Sequence, residues 1–135
     1  MITPLPAPAR HILVVEDHAL LRGIVQQVLV AASLRVTVAE NGDEALTLLE
    51  SGSVTPDVLL TDLRMPGKLN GLDLARWVRQ RHPNIAVLLM TGFADVLDVG
   101  DFRVLSKPFD PRTLLTAIDE IAPTASLTHE RCPRS

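Results

Sequence analysis

Short apolar runs rich in Val, Ile and Leu alternate along this chain with longer segments of helical period. The runs His11 to Val15, Arg35 to Ala39, Asp57 to Thr61, Ile85 to Met90 and Arg103 to Ser106 are near-continuously apolar, as strands are when helices cover both faces of a parallel sheet. Between the first two, Ala19 to Ala32 carries Leu20, Ile24 and Val28 at every fourth position with Arg22, Gln26 and Gln27 opposite, which predicts a helix packed on the sheet. Leu21, Val25, Val28 and Leu29 widen its stripe beyond what the sheet requires. Asn41 predicts an N-cap with Asp43 and Glu44 in the positive first turn, and Gly52 the left-handed residue that closes that helix. Asn70 and Asp73 form a capping pair for a helix through Arg81, stopped by Pro83. Asp110 then Pro111 read as N-cap and first helical residue of a last helix, lined by Leu114, Ile118 and Ile121 and ended by Pro123. Consecutive βαβ units of this kind predict an α/β fold on a five-stranded parallel sheet.

One connection is short. Gly92 to Arg103 is 12 residues, about the minimum for a crossover that includes its helix. One helical turn around Ala94 to Val99, or an irregular loop, is expected there. Residues 1–9, with Pro4, Pro6 and Pro8, read as an extended lead, 123–135 as a polar tail, and 10–122 as the folded body. Hydrophobic residues make up 47% and charged ones 21% of the chain, enough to build a core and outside the disordered class. A net charge of −3 with no basic run argues against a nucleic-acid surface. No run approaches the ~18 apolar residues of a spanning helix, and no membrane contact is expected. A single cysteine, Cys132, excludes an internal disulfide framework and points to a reducing, cytoplasmic setting.

Ligands of an open parallel sheet collect at the carboxyl ends of its strands. Glu16 and Asp17 follow the first strand here, Asp62 the third, Thr91 the fourth and Lys107 the fifth. Taken singly, each has an ordinary structural use. Asp62 can turn the chain, Asp17 stands where an N-cap belongs, Thr91 ends a strand and Lys107 suits a solvated surface. Together they suggest more, because three converging carboxylates repel one another unless a cation neutralises them. All-oxygen donors suit Mg²⁺, and His11, His18, His82 and His129 are too scattered to hold zinc. An Asp, a hydroxyl, an ammonium and Mg²⁺ are the equipment for placing a phosphoryl group on a carboxylate.

Leu13-Val14-Val15-Glu16-Asp17, Leu60-Thr61-Asp62-Leu63-Arg64-Met65-Pro66, Met90-Thr91-Gly92 and Ser106-Lys107-Pro108-Phe109 together resemble the receiver domain of two-component response regulators, over about residues 10–122. The resemblance implies a doubly wound sheet of order 2-1-3-4-5 and a cis Lys107-Pro108 bond. It implies that Asp62 is the phosphoacceptor, served by a histidine kinase or histidine phosphotransfer protein. Mg²⁺ would be held by Asp17, Asp62 and the backbone carbonyl of Arg64, with Glu16 acting through coordinated water. Thr91 and Lys107 would contact the bound phosphoryl group.

Three features depart from the family pattern. Lys107 follows Thr91 by only 16 positions, which curtails the helix between the fourth and fifth strands. The family's switch aromatic is replaced by Val104, with Phe102 two positions earlier as a partial substitute on the same strand face. The loop Pro66 to Gly71 is one residue longer than the common version, as in receivers attached to hybrid kinases. Arg64 and Phe93, each two positions after a site residue, would shield the acyl phosphate from water and slow autodephosphorylation. A stand-alone phosphoaccepting receiver is the leading expectation. The receiver of a hybrid histidine kinase and a non-phosphorylated interaction module are the alternatives, and a homodimer is compatible with either. A phosphatase of the aspartyl-phosphate type is disfavoured by Arg64 at its second Asp position, and a flavin binder by Glu16-Asp17.

Overall fold

The computed structural model describes residues 10–63, 69–92 and 100–122. Five strands, β1 (His11–Val15), β2 (Arg35–Ala39), β3 (Val58–Asp62), β4 (Ala86–Thr91) and β5 (Arg103–Ser106), form one sheet in the order β2-β1-β3-β4-β5. All four pairings are parallel. The described helices are α1 (Ala19–Ala31), α2 (Gly42–Glu50), α3 (Gly71–Arg81) and α4 (Pro111–Ile121). This is the doubly wound α/β fold that the sequence predicts. The curtailed helix expected near 94–99 lies outside the described residues.

Strand alternation sends Leu13, Val15, Leu59 and Leu89 to one face, where α2 and α3 cover them with Ala45, Leu49, Leu74 and Val78. Ile12, Val14, Leu60, Leu88 and Met90 take the other face, under Val25 and Leu29 of α1 and Leu114 and Ile118 of α4. Every residue of β3 is buried, and each large apolar side chain so buried stabilises the fold by roughly 1.5–3 kcal/mol before entropy is counted. The centre of the sheet is therefore its least deformable part, and it ends at Asp62.

The caps follow local chemistry. The side chains of Asn41, Asn70 and Asp110 accept from the backbone N–H three residues on, those of Glu44, Asp73 and Thr113. Gly52 sits at φ 75°, after α2.

Two helix details differ from the sequence reading. The cap of α1 is His18, whose Nδ1 accepts from Leu21 N–H at 3.4 Å, and not Asp17. The face of α1 on the sheet is the Leu21, Val25, Val28, Leu29 side, whereas Leu20 and Ile24 are 69% and 49% exposed. An almost uniformly apolar helix carries two overlapping stripes, and its rotation is set by the sheet residues it must cover.

Candidate functional site

Asp62 and Thr91 are the last residues of β3 and β4, one position further into the sheet than the apolar runs suggest. The ladder continues because Leu63 N–H donates to the Met90 carbonyl and Lys107 N–H to the Thr91 carbonyl, both at 2.7 Å. Thr91 thereby ties β4 to the start of the Lys107 segment, and the Lys107-Pro108 bond that follows is cis. Glu16, Asp62 and Thr91 are all buried, whereas Asp17 is exposed.

Glu16, Asp17 and Asp62 bring one carboxylate oxygen each within 4.8 Å of one another. Lys107 Nζ donates to Asp62 Oδ2 at 2.9 Å and to Glu16 Oε1 at 3.1 Å. Burial, and then the charge of Asp62, push the Glu16 carboxyl above its ordinary range, against the bonds it accepts from His18 N–H and Lys107. For Lys107, burial alone acts downward. The hydrogen bond and charge of Asp62, then those of Glu16, outweigh it and raise the ammonium's pKa. Among the described residues, this carboxylate trio has one ammonium paired with it, which leaves the arrangement electrostatically incomplete. Its oxygens, hard and on different chain segments, fit a hard divalent cation such as Mg²⁺. Of the expected site residues, Glu16, Asp17, Asp62 and Lys107 are brought together, and Thr91 ends the strand beside Asp62. Arg64 lies outside the described residues, as does Phe93.

Phe102, expected as a partial substitute for the missing aromatic, packs with Val104 on the same face of the sheet. Val104 is paired with Leu89, so Phe102, two positions earlier, lies toward the amino end of β5 and away from Thr91. There the Arg79 guanidinium sits 3.8 Å over its ring, and Arg79 also pairs with Asp101 at 2.5 Å.

Two supporting residues escaped the sequence reading. A Cβ on Gly71 would stand 1.9 Å from the carbonyl oxygen of Asp62, so only glycine lets α3 begin against the β3 terminus. Arg22 Nη1 donates to the Glu16 carbonyl at 2.9 Å. The available signal was a basic residue one turn into a helix that follows an acidic pair. Beside the site, an apolar cavity of about 490 Å³ is walled by Leu21, Ile24 and Val25 of α1 and by Pro108, Phe109 and Leu114, and reaches Lys107.

The family model for the response regulator receiver domain matches residues 12–119. The chain is 43% identical over 103 residues to the DNA-binding transcriptional regulator NtrC of Salmonella typhimurium, a match covering 72% of this chain and 21% of that protein. It thus spans about a fifth of that relative's length. Among solved structures, the response regulator receiver protein from Sinorhizobium medicae superposes with a TM-score of 0.78 at 30% identity, covering 84% of this chain and 94% of that one. The receiver domain protein from Clostridium thermocellum gives 0.76 at 28%, covering 87% and 98%. No helix among the described residues is long and apolar enough to cross a membrane.

Proposed function

This chain belongs to the response regulator receiver domain family, and on that premise we propose that it accepts a phosphoryl group on Asp62 from a phosphohistidine of a histidine kinase or histidine phosphotransfer protein. The observation that carries the reading is the convergence of Glu16, Asp17 and Asp62 with Lys107 at the carboxyl ends of β1, β3 and β5. An Asp62 carboxylate oxygen forms a bond to phosphorus while the bond from phosphorus to the imidazole nitrogen breaks. That nitrogen keeps the electron pair and takes a proton. Lys107, kept charged by its two carboxylate partners, is near enough to Asp62 to neutralise an oxygen of the transferred group. The Thr91 hydroxyl donates to another. When bound, Mg²⁺ supplies positive charge to the phosphoryl oxygens. Glu16, Asp17, Asp62 and the Arg64 carbonyl would hold it. The donor segment docks over α1, where Leu20 and Ile24 face outward and the cavity leads to Lys107. The reaction takes place in the cytoplasm. Arg64 and Phe93 slow the return of phosphate to water, so loss of phosphate should quicken in an Arg64→Ala, Phe93→Ala variant.

A second reading, the relay receiver of a hybrid kinase, is favoured by Val104 at the switch position and by Phe102 being held under Arg79. Relay needs the acid site and not a reporting aromatic.

Intact mass after incubation with a small-molecule phosphodonor tests the proposal. One adduct that requires Mg²⁺, disappears with chelator and is missing from Asp62→Asn is the expected result. A folded protein that gains no adduct would instead favour an interaction module that is not phosphorylated. Ile24→Asp should slow transfer from a phosphohistidine donor and leave the small-molecule reaction unchanged.

A further inference from the structure

Asp17 is exposed, and it enters the acidic cluster from a three-residue turn between β1 and α1. Both peptide groups that flank it are tied. On its amino side, the carbonyl of Glu16 accepts from Arg22 Nη1 at 2.9 Å. On its carboxyl side, the N–H of His18 donates to Glu16 Oε2 at 3.1 Å. Glu16 itself is held at its N–H by the Ala39 carbonyl, at 3.1 Å, and at Oε1 by Lys107. Arg22 is fixed in turn, since its backbone N–H donates to the His18 carbonyl at 2.9 Å as α1 begins.

We propose that Arg22 is a positioning residue for the cation site, holding the Glu16–Asp17 peptide so that Asp17 presents its carboxylate beside Glu16 and Asp62. This rests on the reading that the cluster binds Mg²⁺. A guanidinium near a cation site has two effects of opposite sign. Its charge repels the ion, and its hydrogen bond orders the ligand. Removing Arg22 therefore tightens Mg²⁺ binding if charge dominates and weakens it if positioning dominates. The site turns on two carboxylates from one short turn, so positioning is the larger effect.

Calorimetric titration of Mg²⁺ into the wild-type chain, Arg22→Met and Arg22→Lys separates the two. Arg22→Met keeps an unbranched stem and loses both donor and charge. Its Kd for Mg²⁺ should rise about tenfold, the order seen when a group orienting a metal ligand is lost, and Arg22→Lys should fall between it and wild type. On an Asp17→Asn background the Arg22→Met effect should shrink, because the residue through which it acts is gone. Unchanged or tighter binding by Arg22→Met, with a wild-type thermal midpoint in chelator, overturns the proposal. Should that variant not fold, Arg22→Lys decides: weaker binding supports positioning and wild-type affinity overturns it. A wild-type chain that takes up no Mg²⁺ overturns both this inference and the reading beneath it.

Discussion

At the amino ends of the strands, Arg10 donates to the Ala122 carbonyl and pairs with Asp119 at 2.7 Å, while Asp57 accepts the His11 N–H at 2.8 Å. His11 Nε2 and Thr37 Oγ1 lie 2.7 Å apart beside them. At the carboxyl ends, Glu16, Asp17 and Asp62 cluster, and the ammonium of Lys107 pairs with Glu16 and Asp62. The same strands thus end in two kinds of polar chemistry. One end pairs its charges within the fold, and the other, among the described residues, leaves negative charge in excess, an arrangement that could hold a metal ion. Residues at a site of the second kind are placed for function at some cost in stability.

Gly71→Ala should break the contrast most severely. Its methyl would meet the Asp62 carbonyl at a distance no contact tolerates. Overpacking against backbone predicts a loss of ~3 kcal/mol in urea unfolding and abolished phosphorylation measured by intact mass. Arg10→Ala acts at the matched end. It removes a half-buried guanidinium with a bond to the end of α4, and should cost about 1–2 kcal/mol with Mg²⁺ affinity unchanged by calorimetry. Asp17→Asn acts at the unmatched end with the opposite sign. Relief of repulsion should raise stability in chelator by about 0.5 kcal/mol, small because Asp17 is exposed, while the stabilisation gained on adding Mg²⁺ shrinks. An Asp17→Asn protein less stable than wild type in chelator would show that the cluster is not strained.

The smallest effect is expected from pH. Burial, and then the charge of Arg35, hold the His11 imidazole below its ordinary 6.5, against the pull of Asp57. The unfolded chain therefore binds this proton more readily than the folded one. That contribution to stability is present above 6.5 and is lost as pH falls through the folded value. His11→Gln should flatten this part of the profile, provided Gln preserves the contact with Thr37. Circular dichroism is the suitable probe, because it follows the helices of the whole fold, whereas the emission of Trp77 also reports its local contact with the His82 ring, 5.5 Å away between centroids.

What the amino-acid sequence determined by itself was whatever depends on neighbours within a few positions. The five apolar runs became the five strands, and β1, β2 and β5 have the predicted bounds. Asn41, Asn70 and Asp110 cap their helices because a short polar side chain reaches the N–H three residues on without help from the rest of the fold. Placement of Glu16, Asp17, Asp62, Thr91 and Lys107 along one edge was also legible, since each stands at or just past the end of a parallel strand. Tertiary structure decided the rest. Helical period could not choose between Leu20 with Ile24 and Leu21 with Val25 on α1, because both sides are apolar and only the sheet beneath distinguishes them. Nor could it show Arg79 over Phe102, Gly71 against the Asp62 carbonyl or Arg22 on the Glu16 carbonyl. The Arg79 and Gly71 contacts join residues brought together by the crossovers. The Arg22 contact, though only six residues apart, depends on the angle at which α1 leaves β1, and packing on the sheet sets that angle.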